Sequence, residues 1–290
     1  MSPESVTDTQ SVADTEAALV PQGRHSAQGL RWNTVLVTGA SSGIGEAFAR
    51  LLAAEGSHLV LVARDLGRLN QIAEDLRDAH GVQVEVCEAD LSAPVARAAI
   101  ERRLSDSSRP IDLLINNAGF GTNGDFSELP ISREEQQVQV NVIAVMRLTS
   151  AAVRTMLQRN SGAILNLSSI AALYPAPGSA TYCATKAFLC SFGDSLFEEL
   201  RGTGVSITTS LPGFTATEFQ QRSGWDDQQS VPKVAWLTAA KVAADSLDGV
   251  SAGKARVVPS LGYRALVGAT APLPPSARRW LLGHGSRALR

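Results

Sequence analysis

The chain reads as an α/β protein: a doubly wound parallel sheet of about seven strands with helices on both faces. Three observations predict it. Short, β-branched apolar runs alternate with stretches of helical period from Thr34 to Val258, the pattern of strands buried on both faces by crossover helices. The first run opens into a glycine-rich turn ahead of a helical stretch. The 290 residues, 44% hydrophobic, suffice to bury one large core. A net charge of −2 exerts no general pull toward nucleic acid or a membrane.

Residues 1–30 are rich in Ser, Thr, Gln, Ala and acidic side chains, and read as a disordered extension, a regulatory or docking role being the alternative. Order begins near Trp32, with the folded domain expected over residues 31–260. Thr34–Val37 is the first strand. Thr38-Gly39-Ala40-Ser41-Ser42-Gly43-Ile44-Gly45 follows, and Glu46–Ala54 is helical. Glycines let the backbone approach a pyrophosphate, and a helix start offers unpaired N–H groups to an anion. Gly39, Ser41, Ser42, Gly43, Ile44 and Gly45 are therefore candidate contacts to a dinucleotide. Their spacing, Gly-x-x-x-Gly-x-Gly, differs from the Gly-x-Gly-x-x-Gly of other dinucleotide folds.

The second strand, Leu59–Ala63, ends in Arg64. A ribose 2′-hydroxyl is usually held by an acidic residue near this point, whereas a 2′-phosphate needs a cation. A guanidinium suits phosphate, so Arg64 favours NADP(H) over NAD(H). Asp65 next to it weighs the other way, and a solvated charge at a helix start is the plain alternative. Leu66–His80 reads as an amphipathic helix and Val82–Cys87 as the third strand. Asp90-Leu91 follows, where Asp90 alone reads as a helix cap before Ala93. A helix to about Leu104 leads into the strand Ile111–Ile115 and Asn116-Asn117-Ala118-Gly119, whose amides stand where strand ends are braced.

Phe120–Leu129 reads as a loop, and Ser132 to about Asn160 as a long helical region. Within it Asn141 is a lone amide in an apolar stripe, ordinarily a satisfied polar residue. Ala163–Leu167 reads as a buried strand, so Ser169 emerges at the carboxyl end of the sheet, where open α/β folds bind ligands. With a helix from Ala180 to about Arg201, Tyr182 and Lys186 are i and i+4 on one face. An ammonium one turn away favours the phenolate, moving a pKa of about 10 toward the working range of a general acid–base. Val205–Leu211 is the sixth strand, Thr238 caps a last helix to about Val250, and Ala255–Val258 is the seventh strand.

In order and spacing these motifs resemble the short-chain dehydrogenase/reductase family, in its TGxxxGxG/YxxxK, ketoacyl-reductase-like branch, over roughly residues 32–258. Ser169 stands 13 residues before Tyr182 and Asn141 28 before Ser169, as in the family's catalytic set. The resemblance implies a Rossmann fold and hydride transfer between nicotinamide and a ketone or secondary alcohol. It implies that Tyr182 exchanges the proton, that Ser169 stabilises the alkoxide, and that Lys186 lowers the Tyr182 pKa and holds the ribose. Asn141 would kink its helix and hold a proton-relay water. By the same resemblance Asp90 and Leu91 contact adenine, Asn117 with Ala118 and Gly119 steadies the sheet near the ribose, and Pro212, Gly213, Thr215 and Thr217 close over the nicotinamide. Ser42 departs from many NADP-preferring members, which carry a second basic residue there. Assembly as a homodimer or homotetramer through the Asn141 and Tyr182 helices is also implied.

The segment from Phe214 to Leu237 carries Phe214, Phe219, Trp225, Val231 and Trp236. These either line a pocket for a hydrophobic or 3-oxoacyl substrate or pack the loop onto the sheet. Dehydrogenation of a steroid, sugar or small alcohol with NAD(H), or a silent cofactor-binding regulator, are the alternatives. Residues 261–290 read as a basic extension. After Asp248 there are seven basic and no acidic residues: Lys254, Arg256, Arg264, Arg278, Arg279, Arg287 and Arg290. Such a tail suits an acyl carrier protein, an acyl-CoA phosphate or an anionic membrane surface, or is a plain solvated tail packed against the domain. No apolar run approaches the roughly 18 residues of a membrane span, and the N-terminus lacks the order of a signal peptide. Cys87, Cys183 and Cys190 have neither disulfide nor metal-ligand spacing, so no metal is expected and a cytoplasmic setting is. Cys183 beside Tyr182 is a reactive thiol or a small packed residue.

Overall fold

The computed structural model describes residues 31–225 and 231–274. In chain order the strands are β1 Thr34–Thr38, β2 His58–Ala63, β3 Val84–Glu88, β4 Leu113–Asn116, β5 Gly162–Leu167, β6 Val205–Ser210, β7 Thr215–Ala216, β8 Leu237–Thr238 and β9 Arg256–Val257. The helices are α1 Gly43–Ala54, α2 Leu66–His80, α3 Pro94–Leu104, α4 Ile131–Val138, α5 Val145–Gln158, α6 Ala180–Glu199, α7 Phe219–Arg222, α8 Ala239–Ser251 and α9 Leu261–Thr270. Seven strands form one parallel sheet in the order β3-β2-β1-β4-β5-β6-β9, while β7 and β8 pair separately.

Strand alternation builds two cores. Val35 and Val37 face Phe48, Leu52, Leu69 and Leu247, so α1, α2 and α8 cover one side. Leu36 faces the other way, toward Ile100, Leu148 and Met156 on α3 and α5. The chain winds outward from β1 through β2 to β3, then returns to the opposite flank of β1 as β4. That reversal opens a crevice beyond the carboxyl ends of β1 and β4, the place where such sheets bind ligands.

The sequence reading is corrected at several points. Helix α1 begins at Gly43 instead of Glu46, because a glycine at φ +58° accommodates the tight entry and Glu46 N already donates to Ser42 O at 3.3 Å. Asp90 does not cap α3, whose N-cap is Ala93 with Pro94 following. The long helical region is interrupted by a π-helical segment, Gln139–Ala144, between α4 and α5. Taken together as helix over Ile131–Gln158, with an 18-residue window of mean hydropathy 1.3, it is the one described helix long and apolar enough to cross a membrane. Here Val145, Leu148, Ala152 and Met156 bury its apolar side in the core. The segment after β6 is no plain loop, since it folds into β7, α7 and β8. Order also passes the expected boundary at residue 260 into α9, whose Tyr263 is buried. Residues 1–30, and Arg278, Arg279, Arg287 and Arg290 of the basic tail, lie outside the described residues.

Candidate active site

The first turn of α6 carries Tyr182 and Lys186 to the end of β5. Lys186 Nζ donates to Leu167 O at 2.7 Å and sits 5.7 Å from the Tyr182 ring centroid. Ser168 turns the opposite way and donates from Oγ to Lys186 O at 2.7 Å, fastening α6 to the strand end. Ser169, in extended backbone, accepts from Ala171 N at 3.1 Å and is hydrogen-bonded to the Tyr182 phenol. Asn141 reaches the same corner from the π-helical segment. Its Nδ2 donates to Phe120 O at 2.9 Å and Thr185 Oγ1 at 3.1 Å, and its Oδ1 accepts from Phe120 N at 3.1 Å. A Cβ on Gly119 would stand 3.0 Å from Asn141 Oδ1 and 3.5 Å from Lys186 Nζ, so this glycine keeps the two side chains near each other. The four residues singled out by spacing thus converge.

Electrostatics depart from the expected opposite-charge effect. Burial pushes the Tyr182 phenol up to about 12, with the Ser169 hydrogen bond pulling only partly back. Burial likewise pulls the Lys186 ammonium down to about 8. Both shifts favour the uncharged forms of the pair. Desolvation outweighs the i, i+4 attraction here. Tyr182 is a protonated phenol at neutral pH, the form that donates. Cys183 is buried and its thiol is raised, so it is a packed side chain in place of a thiolate nucleophile.

The dinucleotide candidates assemble on the neighbouring strand ends. Thr38 Oγ1 accepts from Asn117 N and Ala118 N, both at 3.0 Å, and Asn117 Nδ2 donates to Thr38 O at 2.9 Å and Gly39 O at 3.3 Å. This stitches the glycine turn to β4. A Cβ on Gly45 would lie 2.5 Å from Asn117 Nδ2 and closer still to Gly39 O. Ser42 is the N-cap of α1 yet makes no capping bond with its side chain, so first-turn N–H groups of α1, including those of Ile44 and Gly45, stay available to an anion. Ser41 lies in the same turn. Gly39 N donates to Val62 O at 2.7 Å, bringing the turn beside the end of β2. There Arg64 is exposed and makes no hydrogen bond or ion pair with the described residues. Asp90 accepts from Ser92 N at 2.9 Å and Ser92 Oγ at 2.7 Å. Burial raises its pKa, but Ser92 and the Arg64 charge outweigh that and hold the carboxyl below its usual range. Leu91 is buried beside it.

Across the crevice, Ile170 N donates to Pro212 O at 3.0 Å, which sets Pro212-Gly213 against the Ser169 turn. Thr215 Oγ1 donates to Gly213 O at 3.0 Å. Thr217 folds over the glycine turn, where its Cγ2 would be 3.0 Å from a Cβ on Gly43. Next to it both carboxylate oxygens of Glu218 accept from Arg68 Nη1, each at 3.0 Å. Uncapped donors, a free guanidinium and a glycine cradle together fit a phosphorylated dinucleotide.

Sequence reasoning missed several supports. Thr38 and Thr185 are short hydroxyls that pin the two Asn residues, and their signal is a lone polar side chain beside each motif. Phe219, 5.5 Å from the Tyr182 ring centroid to centroid, was read only as part of an aromatic segment. Of the described basic tail residues, Arg256 is paired with Asp194 and so is not free for an acidic partner.

The family model described as short chain dehydrogenase matches residues 33–228. A ketoacyl reductase, HetN, of Nostoc sp. is 34% identical over 75% of this chain and 75% of its own. A short-chain dehydrogenase from Sphingobium yanoikuyae, solved in complex with NADPH, is 38% identical with a TM-score of 0.75, covering 83% of this chain and 94% of that one. A bulky-bulky ketone specific alcohol dehydrogenase from Comamonas testosteroni is 30% identical with a TM-score of 0.71, covering 84% and 95%.

Proposed function

The chain belongs to the short-chain dehydrogenase family and is an NAD(P)-dependent oxidoreductase of alcohol and carbonyl groups; from that premise we propose that it is an NADP(H)-preferring reductase of hydrophobic ketones, 3-oxoacyl thioesters included. The observation that carries the substrate class is a stack of Phe214, Trp225 and Trp236, with centroids 5.3, 5.7 and 6.2 Å apart. It stands directly beyond Pro212-Gly213, and Phe214 remains partly exposed. An apolar wall of this kind rewards bulky apolar groups at the carbonyl. The relatives named for ketoacyl and bulky ketone substrates support the same class.

In the reduction direction the bound dinucleotide supplies the hydride. Ser169 donates a hydrogen bond to the carbonyl oxygen as negative charge develops there. Tyr182, protonated at neutral pH, gives that oxygen its proton. Lys186 and Asn141 hold the ribose side of the site and the path by which Tyr182 is reprotonated. Gly39, Gly43 and Gly45 would admit the pyrophosphate, Arg64 would meet the 2′-phosphate and Asp90 and Leu91 would flank the adenine, while Asn117 fixes the turn. Pro212, Gly213, Thr215 and Thr217 cover the nicotinamide end.

NADPH and NADH oxidation by the purified protein across a ketone panel tests the reading. Turnover with NADPH on an aryl ketone or 3-oxoacyl thioester is expected. Preference for NADH, or for small sugars, would overturn it. Homodimer or homotetramer assembly belongs to the same proposal. It is supported by Phe188, stacked on Phe192, and by exposed Met146 and Leu157 on the two long helices, and light scattering reads it directly. The three cysteines are free, which supports a reducing, cytoplasmic setting.

A further inference from the structure

Past the end of the sheet, α9 does something that neither the glycine turn nor the Ser169–Tyr182–Lys186 cluster requires. It returns across the carboxyl edge and touches both walls of the substrate side. On one wall, Tyr174, from the loop between Ser169 and Tyr182, hydrogen-bonds Thr270 Oγ1. On the other, the Tyr263 hydroxyl accepts from Phe214 N at 3.2 Å and donates to Ala235 O at 2.7 Å. Those two backbone groups begin and nearly end the segment that carries the aromatic stack. The hydroxyl end of the Tyr263 ring meanwhile packs on Gly213, where a Cβ would come 2.6 Å from Cε1 and nearer still to Cε2 and Cζ. Tyr263 is only 8% exposed, so both hydroxyl bonds are made away from bulk water, where losing a partner is expensive.

The entry to α9 is itself strained. Ser260 has φ +74° and ψ 139°, a conformation that side-chain-bearing residues rarely adopt. It is held there by Asp245 Oδ2, which accepts from Ser260 N at 3.0 Å, and by Arg264 N donating back to Ser260 O at 3.1 Å. A backbone kept in such a region must be over-determined by its surroundings, and the result of this turn is to aim Tyr263 at Gly213.

We propose that Tyr263 is a positioning residue for the substrate, resting on the ketone-reductase reading above: one phenol fixes the Pro212-Gly213 turn and sets the distance of the Phe214–Trp225–Trp236 wall from Tyr182. It touches none of the reacting groups. Its effect is on how well the apolar part of a ketone is held, in ground state and transition state alike, so it acts on KM and spares kcat. The C-terminal helix is thereby part of the specificity apparatus, and substrate breadth is tuned outside the motif-bearing stretch.

Tyr263→Phe isolates the two hydroxyl bonds while keeping the ring on Gly213. With a bulky ketone and saturating NADPH its KM rises about fivefold, the worth of one net hydrogen bond, with kcat within about twofold. Trypsin cuts the folded variant faster at exposed Arg222 and Lys233, which lie within the segment carrying the released wall, while the Tm stays within a few degrees of wild type. Wild-type KM and wild-type cleavage rate in Tyr263→Phe overturn the proposal. So does a rise of KM accompanied by a marked fall of both kcat and Tm, which marks general loosening. If the wild-type protein turns over no ketone, the reductase reading fails, and the tryptic comparison still decides whether Tyr263 holds the wall.

Discussion

The two halves of the crevice are built by different means. On the dinucleotide side, backbone meets backbone: Thr38 and Asn117 lock β1 to β4 through four short bonds, and Gly45 has no room for a Cβ. On the substrate side, two-residue strands and a one-turn helix are held by side chains, chiefly the three-ring stack and Tyr263. A backbone-determined site tolerates almost no substitution and writes itself as a fixed motif. A side-chain-determined site can be repacked with any residues of suitable volume, so it carries chemistry-neutral variation. Binding of a common cofactor belongs to the first kind and choice of substrate to the second.

The seam between the halves gives the largest expected effect. Tyr182→Phe removes the proton donor while leaving the ring against Phe219. Turnover should fall by about 10²-fold or more, the usual worth of a positioned acid–base group. Cofactor affinity, read by nicotinamide fluorescence, should hardly change. Wild-type turnover in that variant would sink the assignment of the site.

Gly45→Ala and Gly213→Ala test the contrast itself. The new methyl at 45 meets the Gly39 carbonyl and the Asn117 amide, neither of which can retreat without breaking β1 from β4. The methyl at 213 meets the Tyr263 ring, which can tilt away. Gly45→Ala should lose about 3 kcal/mol or fail to fold, and Gly213→Ala only about 1 kcal/mol, by thermal or urea unfolding. Equal losses would break the comparison.

Stability against pH sharpens the same seam. Lys186 has a folded pKa of about 8, below its ordinary value of 10.5, so above pH 8 the unfolded chain binds the extra proton and stability rises with pH. Tyr182 has its pKa raised from 10.0 to about 12, so its folded form keeps a proton the unfolded chain loses, and stability falls again above pH 10. Relative to Lys186→Met, wild-type Tm should climb by a few degrees between pH 8 and 10. At pH 7 the methionine variant should be the more stable and the less active protein. A flat difference between the two profiles would show that Lys186 is not desolvated.

Arg64→Ala probes the outer rim of the cofactor side. Its guanidinium is exposed and unpaired among the described residues, so removing it should not touch the fold. KM for NADPH should rise about tenfold, the value of one charge-assisted contact to phosphate, with KM for NADH unchanged. Equal effects on both cofactors would move Arg64 away from the 2′-phosphate.

These differences follow what was legible in the sequence. The sheet, its parallel sense and the span of α2 came from apolar period and turn residues, because strands buried on both faces leave little choice of residue. The four catalytic candidates became legible when their spacing was set beside the short-chain family's pattern, and they converge in space. What was not legible depends on partners far along the chain. The spacing of Tyr182 and Lys186 suggested a lowered phenol pKa, yet burial pushes it the other way, and burial is set by the tertiary fold and not by the spacing. The resemblance implied a kink at Asn141, but the residues of Gln139–Ala144 by themselves suit an ordinary helix and do not mark the π-helical form it takes. Tyr263 looked like an apolar residue in a basic tail, and only the return of α9 over Gly213 gives it a role.

The smallest expected effect lies where the substrate half is most strained. Ser260 pays for the direction of α9 with a positive φ, and its side chain makes no hydrogen bond with the described residues. Glycine adopts that backbone freely, which relieves about 1–3 kcal/mol of strain, but it also gives the unfolded chain more freedom, at a cost of about 0.5–1 kcal/mol. The two terms partly cancel, so Ser260→Gly should raise stability by about 0–2 kcal/mol, with ketone KM unchanged, since Asp245 still accepts from the same backbone N–H. A marked loss of stability would mean that the hydroxyl, and not the backbone, holds the turn. A raised KM with unchanged stability would mean that the strain itself is what presses Tyr263 onto Gly213, and that the substrate wall is held under load.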